Sequence, residues 1–325
     1  MLTTTERFND IAEKVSAIAD TEVTYLMNTK TDYERLRESL SDVSHYSGYG
    51  LFSAGSRLGF PASFVAKHYK KHPETTAKVI KDCYDDFFAK AENPVNKRQA
   101  TGLMARTFEG VVCGVLTDKY SIFDDKEVVD ILKSNSYLMD AEEFWYDISP
   151  EHFHTRFVSK DVLDFDGDDS PLHFCVFVDN SMVGESSLRV RFGLYRSACT
   201  NGCIFGFKEF EIVREMHKGT KEYEKILAEA LEKCDEYEET LKKAVAEMSI
   251  TKSSIYSLPD AVALSYLHDK LAIDRKACAK IYEIYNESYN GESKWDLCNA
   301  ITEYAHDVGN ISERIRLERL ATQVA

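Results

Sequence analysis

Between Leu103 and Phe207 the apolar residues recur at alternate positions or in short continuous runs, whereas on both sides they recur every third or fourth residue. A period that changes from 3.6 to 2 and back again requires a sheet in the middle of the chain and helices at its ends. The expected fold class is therefore α+β: a central antiparallel-rich sheet with hairpins, flanked by a helical N-terminal region and a helical C-terminal bundle. The boundaries follow the change of period. Residues 1–100 are mainly helical, 101–218 form the α+β core, 219–250 a long amphipathic helix and 251–325 a helical C-terminal region.

Local signals fill in this outline. Thr31 and Glu34 are spaced as a capping box before Leu36 and Leu40, and Pro73 marks a break after the helical spacing of Phe64, Val65 and Tyr69. Arg106 to Phe108 and Val111 to Leu116 flank Glu109-Gly110, a two-residue hairpin turn. Asp124 and Asp125 suit the start of a helix through Val128, Val129, Ile131 and Leu132. Strands are expected at His154 to Val158, Leu172 to Val178 and Ser187 to Phe192, with an acidic turn from Asp161 to Asp169 between the first two. In the helix expected from Thr220 to Ile250, Leu227, Cys234, Leu241 and Met248 recur every seven residues. That stripe either packs on its own domain or makes an oligomer contact. Ser257 with Asp260, Ser293 with Asp296 and Asn310 with Glu313 signal three further helix starts.

Composition narrows the class. Hydrophobic residues make up 44% and charged residues 29%, with eighteen Phe, eighteen Tyr and only six Pro, so extended disorder is not expected. The longest apolar runs are strand-sized, and no basic region leads into an apolar stretch at the N-terminus, so neither a membrane span nor a secretory signal is expected. Eight scattered cysteines without a CxxC pair suit reduced thiols in a cytoplasm. The net charge of −15 means that any nucleic-acid site must be a local concentration of cations.

Several segments carry a resemblance. Arg106-Thr107-Phe108-Glu109-Gly110, Gly114 to Tyr120 and Phe123 to Val128 are joined by Asn180-Ser181-Met182-Val183-Gly184, Arg196-Ser197-Ala198-Cys199-Thr200-Asn201-Gly202, His217-Lys218-Gly219 and Asn299 to Tyr304. Together and in this order they resemble the core of the "phage/plasmid-like protein" domain-of-unknown-function family, over roughly residues 55 to 310. The resemblance implies a mobile-element protein acting in a bacterial cytoplasm. The order of hairpin, strands and helix is also loosely similar to the single-strand annealing proteins of phage recombination, of the RecT and Erf types.

The cationic candidates for binding nucleic acid are Arg106, Lys119, Arg156, Arg189, Arg191, Arg196, Arg214 and Lys218, with Asn201 as a polar contact. Leu188, Val190 and Phe192 alternate with Arg189 and Arg191, the pattern of a half-buried strand with a basic open face. Phe192 or Tyr195 could stack bases there. The plainer use of those arginines is to pair with Glu185 or the acidic turn. Cys199 lacks a base nearby in sequence and reads as packing before it reads as a nucleophile. His152-x-His154 with His173-x-Cys175 would offer four zinc ligands only if their strands were neighbours, and filling a β core is the simpler use. The acidic turn lacks the terminal Glu of a calcium loop. There is no GxxxxGK, HExxH or GxSxG, so no catalytic residue, cofactor or metal is assigned.

The expected function is ATP-independent binding and annealing of single-stranded DNA by a homo-oligomer, without enzymatic chemistry. The alternative is a protein-interaction role, such as binding a host defence or replication factor. A thiol- or zinc-dependent enzyme comes third.

Overall fold

The computed structural model describes residues 4–19, 23–26, 30–69, 71–83, 102–117, 119–163, 171–196, 201–204, 211–218, 222–309 and 311–325. The N-terminal part holds α1 (Thr4–Ala19), β1 (Val23–Leu26), α2 (Lys30–Ser39), α3 (Gly48–Arg57), α4 (Ala62–His68) and α5 (Pro73–Asp82). The middle holds β2 (Leu103–Phe108), β3 (Val111–Thr117), α6 (Asp125–Ser134), α7 (Ser136–Met139), β4 (Glu143–Ile148), β5 (Phe153–Leu163), β6 (Leu172–Asn180), β7 (Leu188–Arg196), β8 (Asn201–Ile204) and β9 (Glu211–Glu215). Six helices close the chain: α8 (Tyr223–Leu231), α9 (Cys234–Ile250), α10 (Asp260–Leu271), α11 (Arg275–Glu287), α12 (Lys294–His306) and α13 (Ile311–Val324). The α+β expectation holds, with helices at both ends of antiparallel sheets.

Two sheets carry the fold. β1, β2 and β3 form a small one, and β4-β5-β6-β7 a larger one in which β8 and β9 both pair with β7. All pairings between these strands are antiparallel among the described residues. The hairpin turn between β2 and β3 is where the sequence predicts it. Glu109 and Gly110 both adopt positive φ, 50° and 78°, the conformation a two-residue turn needs to match the twist of its strands.

The first face of the large sheet is apolar. Phe153, Phe157, Phe174, Val176, Val178, Leu188, Val190 and Phe192 point to it and are buried. α1 lies on this face, with Phe8 5.5 Å from Phe144 and 6.0 Å from Phe157 between ring centroids. The N-terminal helix thus joins the central core, which its distance in sequence does not reveal. A second core gathers Tyr33, Leu36, Leu51, Leu58, Val65 and Ile80 of the N-terminal helices against Leu103 and Val115 of the small sheet.

Three expectations need correction. The long helix from Thr220 is two helices, broken at Glu232 and Lys233, where the Glu232 N–H caps onto the Ala228 carbonyl. A straight helix drifts about 20° per seven residues from such a stripe, and the break keeps Leu227 and Leu241 on the same core. Leu227, Cys234, Leu241 and Met248 are accordingly all buried within the chain and offer no oligomer contact. Among the helix starts, the Ser293 box forms, with Asp296 N donating to Ser293 Oγ at 3.0 Å and Ser293 N to Asp296 Oδ2 at 2.8 Å. Thr31 instead lies inside a helix that begins at Lys30, Ser257 takes positive φ while Pro259 precedes α10, and Asn310 lies outside the described residues.

The two sheets meet where β3 runs against the turn between β6 and β7. A Cβ on Gly114 would lie 2.6 Å from Val183 Cβ and 3.2 Å from the Val183 carbonyl oxygen. Gly114→Ala is expected to cost about 1–3 kcal/mol, the usual penalty of overpacking. Chemical denaturation should show a lower midpoint at unchanged slope, and an unchanged midpoint would refute this close approach.

Candidate functional site

The residues singled out in the sequence separate into three places. The first is the junction of the two sheets, where most segments of the family resemblance converge. Arg106 is buried, its Nη1 2.8 Å from Asp124 Oδ1 and 3.3 Å from the Met182 carbonyl. Tyr120 donates its hydroxyl to the Ser181 carbonyl at 2.6 Å. Asn180 Nδ2 donates to Asp125 Oδ1 at 2.7 Å and to the Phe123 carbonyl at 3.0 Å. The His217 ring lies between Tyr120 and Tyr223, at 5.1 and 5.3 Å.

Burial sets the ionisation of this junction. It pushes the Asp125 carboxyl up to about 7, against the Asn180 hydrogen bond and Arg106, which favour the charged form. It pushes the His217 imidazole down to about 4. Two acid–base groups are therefore held with shifts of opposite sense next to a buried guanidinium. Asp125 Oδ2 and both His217 ring nitrogens have no hydrogen-bond partner among the described residues.

The second place is the other face of the large sheet. The alternation of β7 predicts an open basic face here, and the structure corrects this. Arg191 is 1% exposed and pairs through Nη2 with Asp179 Oδ2. Phe192 and Tyr195 are also buried, so neither is available to stack a base. The physical reason is α13, which crosses this face and packs Ile315 near Val158, Cys175, Phe177 and Tyr195. Burial alone would raise the Asp179 carboxyl. Arg191 and a 2.8 Å hydrogen bond to His154 Nδ1 instead hold it well below the usual carboxylate range. Arg156 lies over Trp145 and Tyr195, 5.7 and 5.3 Å from their ring centroids. From α13, Arg314 Nε donates to Glu318 Oε1 at 2.9 Å. These side chains enclose a cleft with a cavity of about 20 Å³, room for a water or one small group.

The third place is the outer edge of the same sheet. Arg189 stands opposite Arg214 across β7 and β9, with its Nε 2.9 Å from Ser187 Oγ. Arg214, Lys218 and Lys119 are exposed, and Lys218 bridges to Tyr120, next to Lys119. The side chains of Arg196 and Asn201, all of Cys199 and the acidic turn from 164 to 170 lie outside the described residues.

The histidine and cysteine pairs do occupy neighbouring strands, but not neighbouring positions. His154 stands opposite Asp179, and Cys175 opposite Val158. His173 Nδ1 bonds to the Ser159 carbonyl at 2.9 Å, and His152 reaches Asp147 and Glu185. No group of His, Cys, Asp and Glu able to hold a metal occurs among the described residues.

Asp179, Arg314, Glu318, Trp145 and Asp125 escaped the sequence reading as site residues. Asp179 had a signal: it is an acid that directly follows the largely apolar stretch Leu172 to Val178, on the same face as His173, Cys175 and Phe177. Arg314 and Glu318 had none beyond their spacing of four.

A family model described as a domain of unknown function (DUF932) matches residues 112–323. This is more than half of the chain, which belongs to that family. No curated protein and no solved structure matches it. No helix among the described residues is long and apolar enough to cross a membrane.

The junction predicts a distinctive pH dependence. A carboxyl whose folded value is raised from 3.8 to about 7 costs nothing below pH 4, and its penalty grows as pH rises and is complete above 7. Asp125→Asn should therefore stabilise the protein at pH 8 by up to about 4 kcal/mol, with the gain vanishing toward pH 4. His217 works in the other direction, since its folded value lies below the usual 6.5. His217→Phe should remove a loss of stability that develops as pH falls from 6.5 to 4. Unfolding curves at several pH values test both, and gains independent of pH would refute the burial argument.

Proposed function

We propose that this DUF932-family chain is an ATP-independent protein of a phage or other mobile element that binds single-stranded DNA and anneals it as a homo-oligomer. The observation that carries the reading is the cationic edge of the large sheet. Arg189 and Arg214 stand opposite each other on β7 and β9, with Lys218 and Lys119 following at the end of β9. Such a strip suits a phosphate backbone, because cations along an edge can follow a strand while its bases stay accessible for pairing. An overall charge of −15 is compatible with this, since the local field governs encounter with a ligand. Arg106 and Arg191 drop out of the contact set, both being engaged in internal ion pairs. The resemblance to mobile-element proteins supports the biological setting, and the annealing role rests on the looser likeness to phage recombination proteins.

A second reading is favoured by the exposed Ile122 and Met216 on the same edge, which Ser121 N joins by donating to the His217 carbonyl at 3.0 Å. Apolar side chains among cations suit a protein partner, such as a host replication or defence factor.

Titration of a fluorescent single strand at several salt concentrations separates the two. On the nucleic-acid reading, replacing both Arg214 and Lys218 by Ala weakens binding alike for all sequences, because phosphate contacts carry no base information. The salt slope becomes shallower by about 0.7 per lost contact, while stability stays within about 0.5 kcal/mol of wild type. Wild-type protein that binds no single strand even at low salt would end this reading and leave the protein-partner one. Light scattering that shows a monomer with and without the strand would remove the homo-oligomer.

A further inference from the structure

The cleft between the second face of the large sheet and α13 carries an unbalanced charge. Its lining includes three arginines, Arg156, Arg191 and Arg314, against two carboxylates, Asp179 and Glu318. Both carboxylates are already engaged, Asp179 by Arg191 and His154, and Glu318 by Arg314. The arginines are not saturated by these contacts. Arg156 Nε, Arg191 Nε and Nη1, and Arg314 Nη2 are buried and have no acceptor among the described residues.

A guanidinium presents five N–H donors in a planar fork, and leaving several of them buried without acceptors is costly. Here the three arginines come from β5, β7 and α13, elements far apart in sequence, yet all of them line one cavity. The group that would satisfy them must accept several hydrogen bonds, carry negative charge and be small, since the cavity measures only about 20 Å³. We propose that this cleft is a binding site for one small oxyanion group, a phosphate or a carboxylate, held between the sheet and α13 by Arg156, Arg191 and Arg314. The surplus of one positive charge in the lining matches a single negative charge on the ligand, and guanidinium forks match the spacing of oxyanion oxygens. Trp145 and Tyr195 flank Arg156 and fix its plane. Arg214, Lys218 and Lys119, the exposed cations of the proposed nucleic-acid edge, do not line this cleft.

The test is calorimetric titration of the full chain, in an anion-poor buffer at fixed ionic strength, with inorganic phosphate, acetate and chloride in separate arms. A saturable isotherm of one site per chain with phosphate assigns a phosphoryl ligand. The same result with acetate alone assigns a carboxylate. Arg156→Gln, which keeps Arg191 and its ion pair in place, should weaken binding at least about tenfold, the loss expected for a charge-assisted hydrogen bond. Glu318→Gln should tighten it, because it preserves an acceptor for Arg314 while removing a negative charge from the lining. Circular dichroism checks that each variant is folded. Absence of a saturable response to either oxyanion, a response equal to that of chloride, or wild-type affinity in folded Arg156→Gln would each overturn the proposal.

Discussion

A charged pair in the middle of a sheet face governs this structure. Arg191 and Asp179 stand on adjacent central strands, both almost fully buried, and each is an acceptable interior residue only because of the other. Removing one partner of such a pair typically costs about 3–5 kcal/mol, although a well-packed apolar replacement of both can be neutral. The pair cannot simply be capped by an apolar layer. α13 therefore brings a polar pair of its own, Arg314 with Glu318, alongside Ile315. The sheet ends up covered on both faces by different means, aromatic and aliphatic packing on one and, on the other, the pairs of Arg191 and Arg314 beside the apolar contacts of Ile315.

The junction of the two sheets obeys a similar logic at smaller scale. Arg106 leaves the small sheet to reach Asp124 and the Met182 carbonyl, and Tyr120 reaches Ser181. These contacts tie the hairpin, the start of α6 and the turn after β6 into one polar knot. The sequence segments that carry the family resemblance are largely the segments that build it. Its residues thus hold architecture together, whatever else the protein does.

This division explains what could be read from the chain. The hairpin at Glu109-Gly110, the start of α6 at Asp124 and strands β5, β6 and β7 were legible because turn chemistry, capping and alternation are local. The alternation of β7 also said correctly that Leu188, Val190 and Phe192 face a core. It could not say what lies over Arg191, because α13 begins more than a hundred residues later in the chain. An arginine under a distant helix and one in solvent have the same local pattern. The seven-residue stripe failed in the same way: it identified a buried face but not whether the burying surface came from the same chain. β1, β8 and β9 were missed because strands of four or five residues carry too few alternations to stand out, and β4 was missed although Phe144, Tyr146 and Ile148 alternate with Glu143, Trp145 and Asp147.

The way β7 is flanked has a bearing on assembly. β8 and β9 take up the same side of it in succession, with four and five residues each, so that border of the sheet is divided into two short lengths instead of one continuous strand. A divided border is a poor template for a strand from another molecule, which needs a long uninterrupted row of backbone donors and acceptors. Copies of this chain that come together at that border must meet through side chains. The contact would then respond to salt and charge, where one built from backbone hydrogen bonds would not.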